Sequence, residues 1–127
     1  MIIGMGTDIV ELARLDAAIK RGGEAFLQRI YTAAELEEGK SRLEYLGGRW
    51  AAKEAAAKAL GCGIGAGCSF TDIEIIDAPS GAPVLSCRAR AAATLAEGRK
   101  VRWHLSISHE RAYAVATAIV EADEKSL

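Results

Sequence analysis

Strict alternation of apolar and polar side chains marks strands at both ends of the chain. Over Val101–Ser108, Trp103, Leu105 and Ile107 fall on one side, and His104, Ser106 and Ser108 on the other. This is the two-residue period of a pleated strand. Tyr113–Glu121 reads as a second strand, joined to the first by a short turn at His109-Glu110-Arg111. Ile2–Val10 has the same period, with Ile3, Met5, Thr7 and Ile9 on one side and Gly4, Gly6 and Asp8 on the other. Glu11–Lys20 predicts a helix that ends at Gly22-Gly23. Thr32-Ala33-Ala34-Glu35 is a capping box, so another helix starts at Thr32 and weakens at Gly39. Leu46–Leu60 is Ala-rich, carries Arg, Lys and Glu and lacks proline, which predicts a helix stopped by Gly61. Asp72–Asp77 and Pro83–Cys87 read as short strands around a Pro79-Ser80-Gly81 turn. Arg88–Glu97 reads as a helix closed by Gly98. The order β, helices, ββ, helix, ββ predicts an α+β fold with a mainly antiparallel sheet packed against helices. No repeat or linker interrupts residues 1–127, which read as one domain.

Composition narrows the function. Half of the residues are hydrophobic and 26% are charged, so the chain can bury a core. The net charge of −1 lacks the basic excess of a nucleic-acid binder. Alanine fills 25 positions while aromatics make up 6%, so the core is built from small side chains. A small domain has a high surface-to-volume ratio, which favours self-association. No apolar run approaches the roughly 20 residues of a membrane helix. The N-terminus lacks the basic start and cleavage site of a secretion signal. Cys62, Cys68 and Cys87 are an odd set with no C-x-x-C, which points to reduced, structural thiols and a cytoplasmic setting.

Three constellations can carry chemistry. Asp8 shares a strand face with Gly4 and Gly6, which leave room around its carboxylate. It can receive a metal ion, or it can cap the following helix while the glycines admit a crossing helix. On the central helix Ala51, Ala52, Ala55, Ala56 and Ala59 form one apolar face, with Glu54 and Lys58 at its margin beside Trp50. Those two residues either line a cleft or form an ordinary i, i+4 pair. His104, Ser106 and Ser108 form one strand face with His109 at its end, which is either a ligand surface or a solvated one. Two histidines without a spaced cysteine do not make a zinc site. The alternating Gly61, Gly63, Gly65 and Gly67 can let a polyphosphate approach the backbone, but they do not match a P-loop.

Together these segments resemble the small bacterial holo-[acyl-carrier-protein] synthase family of 4′-phosphopantetheinyl transferases. The matching stretches are Gly4-Met-Gly-Thr-Asp8-Ile-Val-Glu-Leu-Ala-Arg14, Arg49-Trp-Ala-Ala-Lys-Glu54-Ala-Ala-Ala-Lys58-Ala-Leu-Gly61, Gly81-Ala-Pro83 and His104-Leu-Ser-Ile-Ser-His109. They cover nearly the whole chain. Trp50 stands where the family usually has Phe.

The resemblance implies transfer of phosphopantetheine from coenzyme A to a serine of apo acyl carrier protein, with release of adenosine 3′,5′-bisphosphate. It also implies Mg²⁺ and a homotrimer with active sites between subunits. Asp8 and Glu54 match the metal ligands, and Mg²⁺ suits two carboxylates with water and phosphate completing its shell. Lys58 matches a charge at the pyrophosphate, with Glu54 as base directly or through a water held by the metal. Arg49, Lys58, Gly61, Pro83, His104, Ser106, Ser108 and His109 are the implied coenzyme-binding set. Arg14 and Arg21 are the implied contacts to an acidic carrier protein. Two other classes fit the residues less fully. One is a non-catalytic oligomeric module binding coenzyme A or a nucleotide, and the other is a metal-dependent phosphohydrolase.

Overall fold

A computed structural model of the chain describes residues 1–65, 67–88 and 100–123. Strand β1 (Ile2–Glu11) leads into helix α1 (Leu12–Ile30), followed by α2 (Ala33–Gly39) and α3 (Leu43–Ala59). A 3-10 turn over Phe70–Asp72 opens β2 (Ile73–Asp77), which pairs antiparallel with β3 (Pro83–Cys87). The turn between them closes through Ala78 N–H to Ala82 O and Gly81 N–H to Ala78 O, each at 2.8 Å. Strands β4 (Val101–His109) and β5 (Tyr113–Ala122) complete a three-stranded antiparallel sheet in the order β1-β5-β4. The α+β expectation holds, with two small antiparallel sheets among the described residues in place of one. The helix expected over Arg88–Glu97 lies almost wholly outside the described residues.

Helix α1 runs further than the sequence predicts. Gly23 does leave helical geometry, at φ 59° and ψ −146°, so the double glycine bends the element without ending it. Phe26, Leu27 and Ile30 lie beyond the bend and pack with Leu15, Tyr31, Tyr45 and Leu46, and that burial carries the second segment. Helix α2 begins as its capping box predicts. Glu35 N–H donates to Thr32 Oγ1 at 3.2 Å, and Thr32 N–H donates to Glu35 Oε1 at 2.9 Å.

Helix α3 is the centre of the molecule. It is buried on nearly every side, with Ala51, Ala52, Ala55, Ala56 and Ala57 at zero exposure. Sequence reading gave it a single apolar face. The second buried side packs among Cys68, Ile73, Ile75 and Leu85, which a local period does not reveal. The inner sheet face covers the helix. In register, Gly6 opposes Ala118, which opposes Leu105, and Asp8 opposes Ala116, which opposes Ile107. The cysteines are thiols, and burial first, then neighbouring Cys68, pushes the Cys87 thiol up to about 12.

The close crossing of β1 over α3 depends on glycine. A Cβ at Gly4 would lie 2.0 Å from Ala59 O, and one at Gly6 2.0 Å from Ala55 O and 2.8 Å from the Lys58 Cβ. Neither helix carbonyl can retreat without breaking α3. Gly6→Ala is therefore expected to destabilise the fold by about 1–3 kcal/mol, as overpacking does. Urea unfolding measures it, and an unchanged midpoint would mean that the crossing is not tight.

Candidate active site

The same crossing brings Asp8 to α3. Gly4, Gly6 and Asp8 share the inner face of β1, so the strand that touches Ala59 and Ala55 delivers the carboxylate beside the next turn back along the helix. Lys58 reaches across from α3. Its Nζ donates to Thr7 O at 2.9 Å and to Asp8 Oδ1 at 3.2 Å. Glu54, half-buried one turn earlier, completes the group. Burial pushes its carboxyl above the usual range, the Asp8 charge adds to the rise, and Lys58 opposes it. The geometry bears on two of the local alternatives. The glycines do admit a crossing helix, but Asp8 does not cap α1, whose N-cap is Glu11 without a side-chain bond. Lys58 ties α3 to β1 through Asp8 and the Thr7 carbonyl, which an ordinary i, i+4 pair with Glu54 would not do.

This cluster suits a hard divalent cation. Both carboxylates are partly buried, and the Asp8 charge bears on Glu54, a repulsion that a cation relieves. Among the described residues no third His, Cys, Asp or Glu joins them as a ligand group. Two protein carboxylates with open positions fit Mg²⁺, which keeps several waters and binds substrate phosphate.

A cavity of about 690 Å³ lies elsewhere, along the free edge of β4. Arg49, Gly81, Pro83, Ser106 and His109 line it, as do Arg42 and Arg111. Five of the residues singled out in the sequence thus meet there. Arg49 does not offer an unengaged guanidinium. It donates to Ile75 O at 3.1 Å, to Glu38 Oε2 at 3.2 Å and to Asp77 Oδ1 at 2.7 Å, and it stacks 4.1 Å above the Tyr45 ring. Tyr45 in turn donates to Glu38 Oε2 at 2.6 Å. Burial and this hydrogen bond raise its phenol well above the usual range, while Arg49 opposes the rise. Sequence reasoning missed Glu38, Tyr45 and Asp77. They come from α2, α3 and β2, and no spacing within one element signals their meeting.

The remaining expected residues stand apart. His104, Ser106 and Ser108 project from the outer sheet face, away from α3, because their in-register partners alternate with the buried alanines of β5. One chain therefore does not bring His104 to Asp8 and Glu54. Gly61 closes α3 at φ 81°, a left-handed position where its N–H donates to Lys58 O at 2.9 Å. Arg14 and Arg21 are exposed on α1. Met5, Ile9, Tyr113 and Val115 leave an apolar row exposed on the outer sheet face.

Lys53, next to Glu54 in sequence, points the other way. It is fully buried with Glu35, Nζ to Oε1 at 2.7 Å, and also donates to the carbonyls of Phe70 and Ile73. Glu35 Oε2 accepts the N–H of Ile75 at 2.9 Å. This pair joins α2, α3 and β2 and fixes the rotation of the helix that presents Glu54.

Comparison with known proteins places the chain in a family. Residues 4–118 match the 4′-phosphopantetheinyl transferase superfamily. The holo-[acyl-carrier-protein] synthase of Vibrio atlanticus is 47% identical over 124 residues, covering 95% of this chain and 98% of that protein. The corresponding protein of Marinomonas is 48% identical over 96% of this chain and 99% of its own length. Among solved structures, the holo-[acyl-carrier-protein] synthase of Neisseria meningitidis superposes with a TM-score of 0.85 at 40% identity, covering 95% of this chain and 99% of that one. The Helicobacter pylori enzyme in complex with coenzyme A gives 0.84 at 33% identity, covering 92% and 99%. No helix of the described residues is long and apolar enough to cross a membrane. With its fold, its β1–α3 crossing and its relatives in accord over nearly the whole length, the chain belongs to the holo-[acyl-carrier-protein] synthase family of 4′-phosphopantetheinyl transferases.

Proposed function

We propose that the chain, acting as one domain over residues 1–127, transfers the 4′-phosphopantetheine group of coenzyme A to a serine of apo acyl carrier protein. The observation that carries the reading is the meeting of Asp8, Glu54 and Lys58 at the β1–α3 crossing. The serine Oγ forms a bond to the phosphorus bearing pantetheine. The bond from that phosphorus to the bridging pyrophosphate oxygen breaks, and adenosine 3′,5′-bisphosphate leaves. Asp8 and Glu54 would hold Mg²⁺, which supplies positive charge against the charge building on the pyrophosphate. Glu54, directly or through a water, would take the serine proton. Lys58 is half exposed on a flexible stem, so it can turn from Asp8 to the pyrophosphate.

The nucleotide end of the coenzyme fits the cavity of Arg49, Pro83, Ser106 and His109. His104, Ser108 and Gly61 complete its contacts. Because His104 and the carboxylate pair lie on opposite sheet faces, the reading requires a second copy. A homotrimer that buries the row Met5, Ile9, Tyr113 and Val115 would set these outer-face groups of one subunit beside Asp8 and Glu54 of the next. Arg14 and Arg21 would meet the acidic carrier, with an on-rate that falls as salt rises. The reduced thiols agree with work in the cytoplasm.

Incubation with coenzyme A, Mg²⁺ and apo carrier protein, followed by intact-mass spectrometry, is expected to show a phosphopantetheine adduct on the carrier's serine. An unmodified carrier across a panel of apo carriers would overturn the reading. Release of adenosine bisphosphate without any carrier would point to a hydrolase instead.

A further inference from the structure

On the outer sheet face, three polar side chains meet near the start of β4. Arg102 directly opposes Glu121 in register, and His104 lies diagonally across from it, opposite Ile119. Glu121 Oε1 accepts from Arg102 Nε at 3.4 Å, forms an ion pair with Nη2 at the same distance, and sits 3.0 Å from His104 Nε2. Arg102 also reaches Asp123 Oδ1 at 3.5 Å. The chemistry assigns the proton. The hydrogen bond from His104 and the charge of Arg102 hold the Glu121 carboxyl below its usual range, so it is an acceptor only. The nitrogen facing it must then carry hydrogen. Nε2 is occupied, and Nδ1 is the ring position left for a ligand.

We propose that Glu121 is a positioning residue for His104: clamped by Arg102 across the strand pair, it takes the Nε2–H and turns Nδ1 toward a phosphate of coenzyme A. The inference rests on the reading of His104 as a coenzyme contact. An anionic phosphate can accept from Nδ1 only through a hydrogen on that nitrogen, so a ring that serves both partners uses one nitrogen on Glu121 and the other on the phosphate. A single rotamer and a single donor direction are thereby selected from a side chain that is otherwise 57% exposed. An exposed pair of this kind adds little to stability, so its effect belongs in coenzyme affinity rather than in the unfolding midpoint.

A double-mutant cycle tests this. Glu121→Ala is expected to raise the KM for coenzyme A about 5–10-fold, the loss of one well-placed charged hydrogen bond. Its kcat should stay within about twofold, because the group does not touch the reacting atoms. Glu121→Gln keeps an acceptor for Nε2–H and is expected to recover most of the loss. In a His104→Ala background, Glu121→Ala is expected to change nothing further. Additive effects of the two substitutions would overturn the proposal, as would a rise in KM for His104→Ala with none for Glu121→Ala. A His104→Ala variant with unaltered KM would instead remove the reading of His104 itself, and the positioning role with it.

Discussion

The Asp8→Asn and Glu54→Gln variants are expected to lose phosphopantetheine transfer by about a hundredfold or more, the scale on which removal of one transition-state electrostatic contact acts. Both substitutions keep shape and remove charge. Asp8 forms only a partly exposed ion pair with Lys58, worth at most about 1 kcal/mol, so Asp8→Asn should leave the fold intact. Glu54→Gln differs in one instructive way. A carboxyl whose value is raised on folding costs stability once it ionises. That cost is absent at pH below the ordinary carboxylate range and grows as pH rises toward the raised value. Glu54→Gln should remove this decline, so the variant is as stable as the parent at neutral pH or slightly more so, while inactive. Titration of Mn²⁺ by electron paramagnetic resonance should show weakened binding in both variants. Full transfer in either variant would refute the roles given to these carboxylates. A collapsed unfolding midpoint in Asp8→Asn would make that residue structural.

How far such a site can be read in advance depends on where its determinants lie. Strands β1, β4 and β5 were legible because period two survives in any half-buried strand, and the β2–β3 hairpin because Pro79-Ser80-Gly81 has turn chemistry of its own. The capping box placed α2 to within one residue. Local signals failed where tertiary burial overrode them. Gly22-Gly23 bent α1 without stopping it, since Phe26, Leu27 and Ile30 had a core to enter. Asp8 showed the same limit from the other side. Its strand face was readable, yet only the packing of Gly4 and Gly6 against α3 distinguished a cluster with Lys58 and Glu54 from a helix cap. The Arg49 network had no sequence signal, because Glu38 and Asp77 meet it from separate elements.

Lys53→Met is expected to destabilise the protein by about 3–5 kcal/mol, the penalty for breaking a fully buried ion pair from one side. Burial alone pulls the Lys53 ammonium below the usual lysine range, and the charge and hydrogen bond of Glu35 oppose that pull. Methionine fills the volume but leaves Glu35 as a buried carboxylate with only the N–H groups of Thr32 and Ile75. It also strands the Ile73 carbonyl, while that of Phe70 keeps only the Ile73 N–H. The exposed pair Lys20–Asp16 is the internal control, since Lys20→Met should cost no more than about 0.5 kcal/mol. Adding Glu35→Gln to Lys53→Met removes the naked charge and should recover part of the loss, though the amide cannot accept both backbone N–H bonds. Urea unfolding at unchanged m-value measures all three. A Lys53→Met variant within about 1 kcal/mol of the parent would mean that water or a neighbouring group neutralises Glu35. The consequence reaches the site because Lys53 and Glu54 are consecutive on α3. The pair that pins one side of that helix to α2 and β2 sets the angle at which Glu54 meets Asp8 on the other.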